Sequence, residues 1–515
     1  IKDQLDRVDR VVTFAEREIQ WLEASIKDFS GGEEFIDHQH PYATDLNIFG
    51  KGSLYGYLNR TVSFQGAEWL SQELKENVTD RESLLSEREK VKEFATRPEF
   101  VFRFLAAVQA AGENHSKNPV MPELIPHSKV AEWIVTKVLP FVMIGFTAAL
   151  IFGVITFNQY LLSLLLSALP VMFRLKKHMS DFKAFDPILQ SAKAYKESLE
   201  LLDKAEVNSE ELKREFREAE LESSAEAIVK LEGIKEAIDS RNNIFVGIIL
   251  NLLLLWDFQQ HRRLVKWSSE WKHTFPHWMD LVHRMEAQLS LSIYVHNHPE
   301  FIYPEFTESD ICEFEEVRHV ALGENAIPNS LSIKEDGRLA IITGANMAGK
   351  STFLRTIGTN LVLAMRGLPV PAKEFRFKPR QIFTSMLTMD SLSEGESYFF
   401  SELSRLKMMT DILESGTPLF VILDEILKGT NSIDKAEGSK LFTQKLLKLP
   451  AKGLIATHDL SLCEMEKEHP VKIQNLSFEV EFREDQLQFD YRIRKGVCQN
   501  MNAKFLLKRM GLTDS

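Results

Sequence analysis

The chain has 515 residues, 44% hydrophobic and 26% charged, with a formal net charge of −12. That balance suits a multidomain globular protein and excludes a disordered one, and an acidic total gives no general hold on nucleic acid, leaving only a local basic groove for that. Cys312, Cys463 and Cys498 stand far apart with no CxxC pair, which fits a reducing compartment and excludes a disulfide framework or a cysteine-based zinc site.

The chain opens on Ile1 rather than methionine, as a truncated or processed chain would. Residues 1 to about 30 read as a charged helix, broken by Gly31-Gly32. Helices are predicted at Gly66 to Leu74, Asp80 to Ala95 and Pro98 to Gly112, and Asn59-Arg60-Thr61 reads as a helix end with a cap for the next element. Val138 to Phe173 contains no charged residue. Asn158-Gln159 divides it into halves that can just cross a hydrocarbon core, with Lys137 before it and Arg174, Lys176 and Lys177 after it. This pattern predicts a transmembrane helical hairpin with both ends cytoplasmic. Lys- and Glu-rich helices follow over 179–243 as solvated or coiled-coil arms, and Ile244 to Trp256 is expected as a core helix. Aromatic residues from Gln259 to Leu291, among them Trp267, Trp271 and Trp278, recur at helical spacing as packing. Pro299 and Pro304 mark the boundary to a second kind of sequence.

There an apolar run, Leu339 to Ile342, enters the loop Gly344-Ala345-Asn346-Met347-Ala348-Gly349-Lys350-Ser351-Thr352, and a helical pattern runs from Phe353 to Met365. Strand, glycine loop and helix in that order are the P-loop context, in which backbone N–H groups and a helix N-terminus wrap a polyphosphate. Lys350 is placed to reach the β- and γ-phosphates of ATP, and the Ser351 hydroxyl to ligate Mg²⁺. Pro418 to Glu425 is a buried strand ending in two carboxylates: Asp424 as the Mg²⁺ partner, Glu425 as the base that takes a proton from the attacking water. A third strand ends at His458, a plausible γ-phosphate sensor. Between them Asp390 to Ser397 is a Ser-rich loop opening into a helix, whose N-terminus suits an anion held by another subunit; an ordinary capped helix start is the alternative.

These segments carry a resemblance. Thr343-Gly-Ala-Asn-Met-Ala-Gly-Lys-Ser-Thr352, with its Asn-Met pair, resembles the P-loop of the MutS family of DNA mismatch-repair ATPases. Asp424-Glu-Ile-Leu-Lys-Gly-Thr-Asn-Ser432, Ala456-Thr-His458 and Gly395-Glu-Ser-Tyr-Phe are similar to that family's later motifs, in the same order. Gly52 to Gly66 resembles the start of its helical core, and Glu316-Val-Arg-His319 the entry to its ATPase domain. The resemblance implies a homodimer with two composite sites: Lys350, Ser351, Asp424, Glu425 and His458 act within one subunit, and Ser397 meets the partner's γ-phosphate. It also implies that Asn346 contacts the phosphates and Ile327 the adenine. Two departures accompany it. No residues before the core resemble the family's mismatch-reading domain, and the apolar hairpin and charged helices stand where the family has its DNA clamp.

The fold expected is an α/β P-loop ATPase domain of the ABC type, its sheet mostly parallel, joined to an all-α core and lever region with a transmembrane hairpin. The segments are 1–127 (helical core), 128–178 (hairpin), 179–300 (lever and core) and 301–515 (ATPase). The expected activity is Mg²⁺-dependent ATP hydrolysis by a dimer acting on mismatched or branched DNA, with a cytoplasmic ATPase domain anchored in the inner (cytoplasmic) membrane. A membrane-bound mechanochemical ATPase acting on protein or lipid is the alternative.

Overall fold

The structure, a computed structural model, describes residues 2–23, 29–111, 121–124, 138–240, 244–345, 347–386, 398–428, 431–483 and 486–498. Its helices begin with α1 (Lys2–Glu23), α2 (Leu54–Leu58), α3 (Phe64–Lys75), α4 (Arg81–Ala95) and α5 (Pro98–Ala111). Next come α6 (Leu139–Ile151), α7 (Phe157–Asp203), α8 (Glu210–Glu218), α9 (Ser224–Asp239), α10 (Ile244–Leu254), α11 (Trp256–Trp271) and α12 (Thr274–Asn297). Then follow β1 (Glu305–Phe306), β2 (Cys312–Val317), β3 (Asn329–Ile333), β4 (Leu339–Gly344), α13 (Lys350–Ala364), β5 (Glu374–Phe377) and β6 (Gln381–Ser385). The chain continues through α14 (Tyr398–Glu414), β7 (Leu419–Asp424), α15 (Ser432–Leu446), β8 (Ala451–Ala456), α16 (Leu460–Cys463), α17 (Met465–Glu468), β9 (Ile473–Arg483) and β10 (Gln486–Lys495).

Packing divides the chain into two units. One holds Ile1–Arg17, Thr61–Gly66 and Glu99–Ala287; the other holds Glu18–Arg60, Ala67–Pro98 and Gln288–Ser515. The early chain joins the second unit through specific bonds. Thr384 N donates to Pro41 O at 2.9 Å, and Arg355 Nε donates to Asp45 O at 3.0 Å. Arg60 grips Glu18 with two N–H···O bonds of 2.6 and 3.1 Å, beside Asn59, which ends α2.

In the second unit a six-stranded sheet runs in the order β10-β9-β4-β8-β7-β6. Every neighbouring pair is parallel except β9 with β10. The central strands are apolar almost without interruption, and Leu339 to Ile342 and Leu419 to Leu423 are buried throughout, as a sheet covered on both faces requires. A smaller sheet, β1-β5-β2-β3, is mixed. Gly453 is what lets β8 lie against β7, since a Cβ there would come within 1.9 Å of Val421 O.

In the first unit the aromatic stripe is packing. Trp267 Nε1 donates to Ala227 O and Trp278 Nε1 to Ala219 O, both at 2.8 Å, so these two indoles satisfy their one donor, whereas buried Trp271 leaves its Nε1 without a partner among the described residues. The uncharged stretch 138–173 departs from its prediction. The reversal lies at Phe152 to Ile155, where Gly153 takes φ 71°. Thr156 then caps α7, and Gln159 returns the bond in a capping box, which puts Asn158-Gln159 inside the first helical turn. Helix α6 rises only ~20 Å, against a hydrocarbon core of ~30 Å, and α7 runs unbroken from its apolar part into Lys176 and Lys177. Among the described residues no helix is long and apolar enough to cross a membrane, which corrects the transmembrane reading. Helix α10 is likewise no ordinary core helix, because Phe245, Ile248 and Ile249 are exposed.

Candidate functional site

The site forms where β4, β7 and β8 end side by side. Between β4 and α13 the loop turns through Met347 at φ 67° and Gly349 at φ 103°. Glycine is required at 349, where any Cβ would be strained, and at Gly344, where one would come within 2.7 Å of Phe478 O. This leaves the loop's N–H groups and the N-terminus of α13 to carry the partial positive charge that binds anions.

Lys350 is buried at the first turn of α13. Its Nζ donates to Gly344 O at 2.8 Å and Ala345 O at 3.0 Å, so the ammonium is folded back onto its own loop. Burial lowers its pKa, and the nearby Asp424 and Glu425 oppose that shift. Ser351 Oγ donates to Asp424 Oδ2 at 2.6 Å, joining the first turn of α13 to the end of β7. One hydroxyl and one carboxylate are a donor set that fits Mg²⁺, which takes few protein oxygens and completes its shell with water and substrate phosphate.

Glu425 follows at φ 55°, its N–H donating to Ala456 O at 2.9 Å. Hydrogen bonding to β8 thereby holds it in a conformation costly for a non-glycine residue. His458 Nε2 stands 2.9 Å from Glu425 Oε1, and this hydrogen bond carries the Glu425 pKa down to about 2. Lys350 Nζ lies 3.3 Å from the same nitrogen. One ring nitrogen cannot donate to Glu425 and accept from Lys350 together, and with Nε2–H directed at the carboxylate, Lys350 keeps its two carbonyls.

The structure thus brings together Gly344, Gly349, Lys350, Ser351, Asp424, Glu425 and His458. Ala345, Met347 and Ala348 lie in the loop, Met347 exposed, and Thr352 is exposed on the first turn of α13. Ile327 is exposed just before β3. Asn346 and Ser397, with the rest of 390–397, lie outside the described residues.

Two residues the sequence reading passed over belong to this description. Glu402, on α14 and buried, accepts from Leu427 N at 2.5 Å and Lys428 N at 3.0 Å, fastening the loop that carries Glu425. Burial raises its pKa against the pull of those two donors. Its signal was present, because Glu402, Leu406, Met409 and Leu413 recur at helical spacing and the last three are core. Tyr491 on β10 sits with its ring edge 3.1 Å from where a Gly349 Cβ would be, and Asn329 Nδ2 donates to its carbonyl at 2.9 Å. No local pattern marks it, since 142 residues separate it from Gly349.

Part of the chain is similar to known proteins. Residues 340–504 match the family description MutS domain V. A protein named DNA mismatch repair protein MutS from Thermotoga maritima is 31% identical over 215 residues, 41% of this chain and 27% of that protein. Its namesake from Aquifex pyrophilus is 33% identical over 221 residues, 42% of this chain and 25% of that protein. The human MutS protein homolog 4 is 29% identical over 214 residues, 39% and 22% of the two chains. The matched part of the chain thus spans about a quarter of the length of these relatives. With the P-loop, the acidic strand and the histidine at one end of one parallel sheet, residues 340–504 are similar to MutS domain V.

Proposed function

We propose that this protein hydrolyses ATP with Mg²⁺ and, as a dimer joined through its ATPase domains, acts on mismatched or branched DNA. The convergence of Lys350, Ser351–Asp424 and Glu425–His458 carries the reading. Lys350 exchanges its two carbonyl partners for phosphate oxygens, a charge-assisted bond stronger than the ones it leaves. Ser351 and Asp424 would hold Mg²⁺, which would supply charge neutralisation at the phosphates. Glu425 takes the proton of the attacking water, with His458 setting the carboxylate's position and basicity. Tyr491 and Ile327 supply an apolar wall for the base beside the P-loop. Sub-ångström changes at this site then shift the population of dimer arrangements and so the spread of the helical arms.

The names of the relatives support DNA as the substrate. A second reading, an ATPase driving protein or lipid cargo, is favoured by the net charge of −12 and by the apolar surface of α6 and α10. DNA binding by the purified chain, titrated with salt, separates the two. A preference for mismatched or branched over perfect duplex that ATP alters is the expected result. Weak binding that vanishes equally for all three by physiological salt is phosphate attraction alone and overturns the DNA reading.

A further inference from the structure

The helices α6, α10 and the first part of α7 pack on one another in the first unit and expose apolar side chains. Phe141 is 71% exposed, Phe152 82% and Phe245 80%, with Ile144, Val154 and Ile248 between them. Water does not tolerate such a surface as a contiguous patch, so something covers it.

Four observations identify the cover. From Phe141 to Phe146 only Met143 is buried, so α6 is apolar around most of its circumference, unlike the single stripe that a partner helix needs. Thr147, Tyr160, Ser163 and Asn251 are satisfied within these helices, as a low-dielectric surrounding demands. Thr147 Oγ1 donates to Met143 O at 2.9 Å and pairs with Tyr160 OH at 3.0 Å; Ser163 Oγ donates to Tyr160 O at 2.7 Å. Asn251 bonds Gly247 O through Nδ2 and Asp257 N through Oδ1. Charge is absent from 138 to 173 and resumes at Arg174, with Lys176 and Lys177 exposed on the same helix. Finally, α10 rises ~16 Å and α6 ~20 Å, both short of a ~30 Å hydrocarbon core.

We propose that α6, α10 and the apolar start of α7 form a plug that enters one leaflet of a lipid bilayer without crossing it, with Lys176 and Lys177 at anionic headgroups. The inference is independent of whether DNA is the substrate. A fluid occupant suits a surface that is apolar on several sides, and the juxtamembrane lysines add attraction to an anionic surface.

Flotation of the full chain with phosphatidylcholine vesicles, with and without phosphatidylglycerol, tests the proposal. Because Cys312, Cys463 and Cys498 are buried, a Val154→Cys variant gives one reactive thiol at the reversal. The expected result is flotation, stronger with phosphatidylglycerol, and protection of that thiol both from impermeant maleimide added outside and from maleimide trapped in the lumen. Phe141→Asp combined with Phe245→Asp is expected to lower the bound fraction about tenfold while leaving ATP turnover unchanged. Lys176→Glu with Lys177→Glu, which leaves the apolar surface intact, removes only the phosphatidylglycerol dependence. Labelling from the lumen overturns the single-leaflet placement. Labelling from outside whether or not vesicles are present overturns the lipid occupant. So does absence of flotation together with a dimer that the aspartates make monomeric, which assigns the surface to a second copy.

Discussion

A carboxylate with a pKa of about 2 is a poor proton acceptor, yet Glu425 is the group proposed to receive a proton. Its hydrogen bond from His458 is the first cause of that depression, so the resting site holds its base in a weak state. The folded pKa lies below the ordinary carboxylate value, so Glu425 stays charged at neutral pH and loses its charge only as pH falls through about 2. His458→Asn is therefore expected to raise the Glu425 pKa and bring the acidic limb of kcat/KM up towards the ordinary range near ~4.3. A profile whose acidic limb does not move separates the two residues functionally. Glu425→Gln should bind ATP with unchanged affinity and lose at least about a hundredfold in phosphate release. The pairing of these two residues was legible, because an acidic strand followed by a strand ending in histidine places both at one edge of a parallel sheet. The inward fold of Lys350 and the left-handed backbone at Glu425 were not, because they depend on atoms brought in by β8 and the loop itself.

At the scale of elements, α14 and the loop after β7 are fastened by one side chain. The Glu402 carboxylate accepts two backbone N–H groups two and three residues beyond Glu425, so α14 bears directly on where the proposed base sits. Glu402→Gln leaves one of those donors facing an amide N–H, a loss of about 1–3 kcal/mol. Displacement of the base by a fraction of an ångström predicts a fall in kcat of about tenfold with little change in KM for ATP. Denaturant unfolding and phosphate release measured on the same preparations check this. Stability lost with kcat intact makes Glu402 a support of the fold alone. Elements also show where sequence reading stops. The parallel strands were legible as unbroken apolar runs bounded by glycine and acidic residues. The reversal at 152–155 was missed because Asn158-Gln159 looked like the only polar break, although Thr156 and Gln159 stand at capping-box spacing and mark a helix start. The exposure of α10 could not be read at all, since an apolar run has the same composition whether it meets protein or lipid.

On the scale of the whole molecule the question is whether one chain makes a complete site. Within the chain, the P-loop, Asp424, Glu425 and His458 converge, whereas Ser397 is assigned by resemblance to the other subunit's nucleotide. The two-fold symmetry of the proposed dimer makes that assignment testable by mixing subunits that are each inactive. Dimers of Glu425→Gln have no base in either site, and dimers of Ser397→Ala lack the crossing contact in both. In a mixed dimer one site carries both defects. The other combines the intact Glu425 of one subunit with the intact Ser397 of its partner. Random exchange makes half the dimers mixed, each with one working site in two, so turnover should recover to roughly a quarter of the unsubstituted protein's. The same two chains kept separate should show only their residual rates. If mixing restores nothing while sedimentation shows that mixed dimers have formed, each subunit completes its own site, and the dimer is not the unit of hydrolysis.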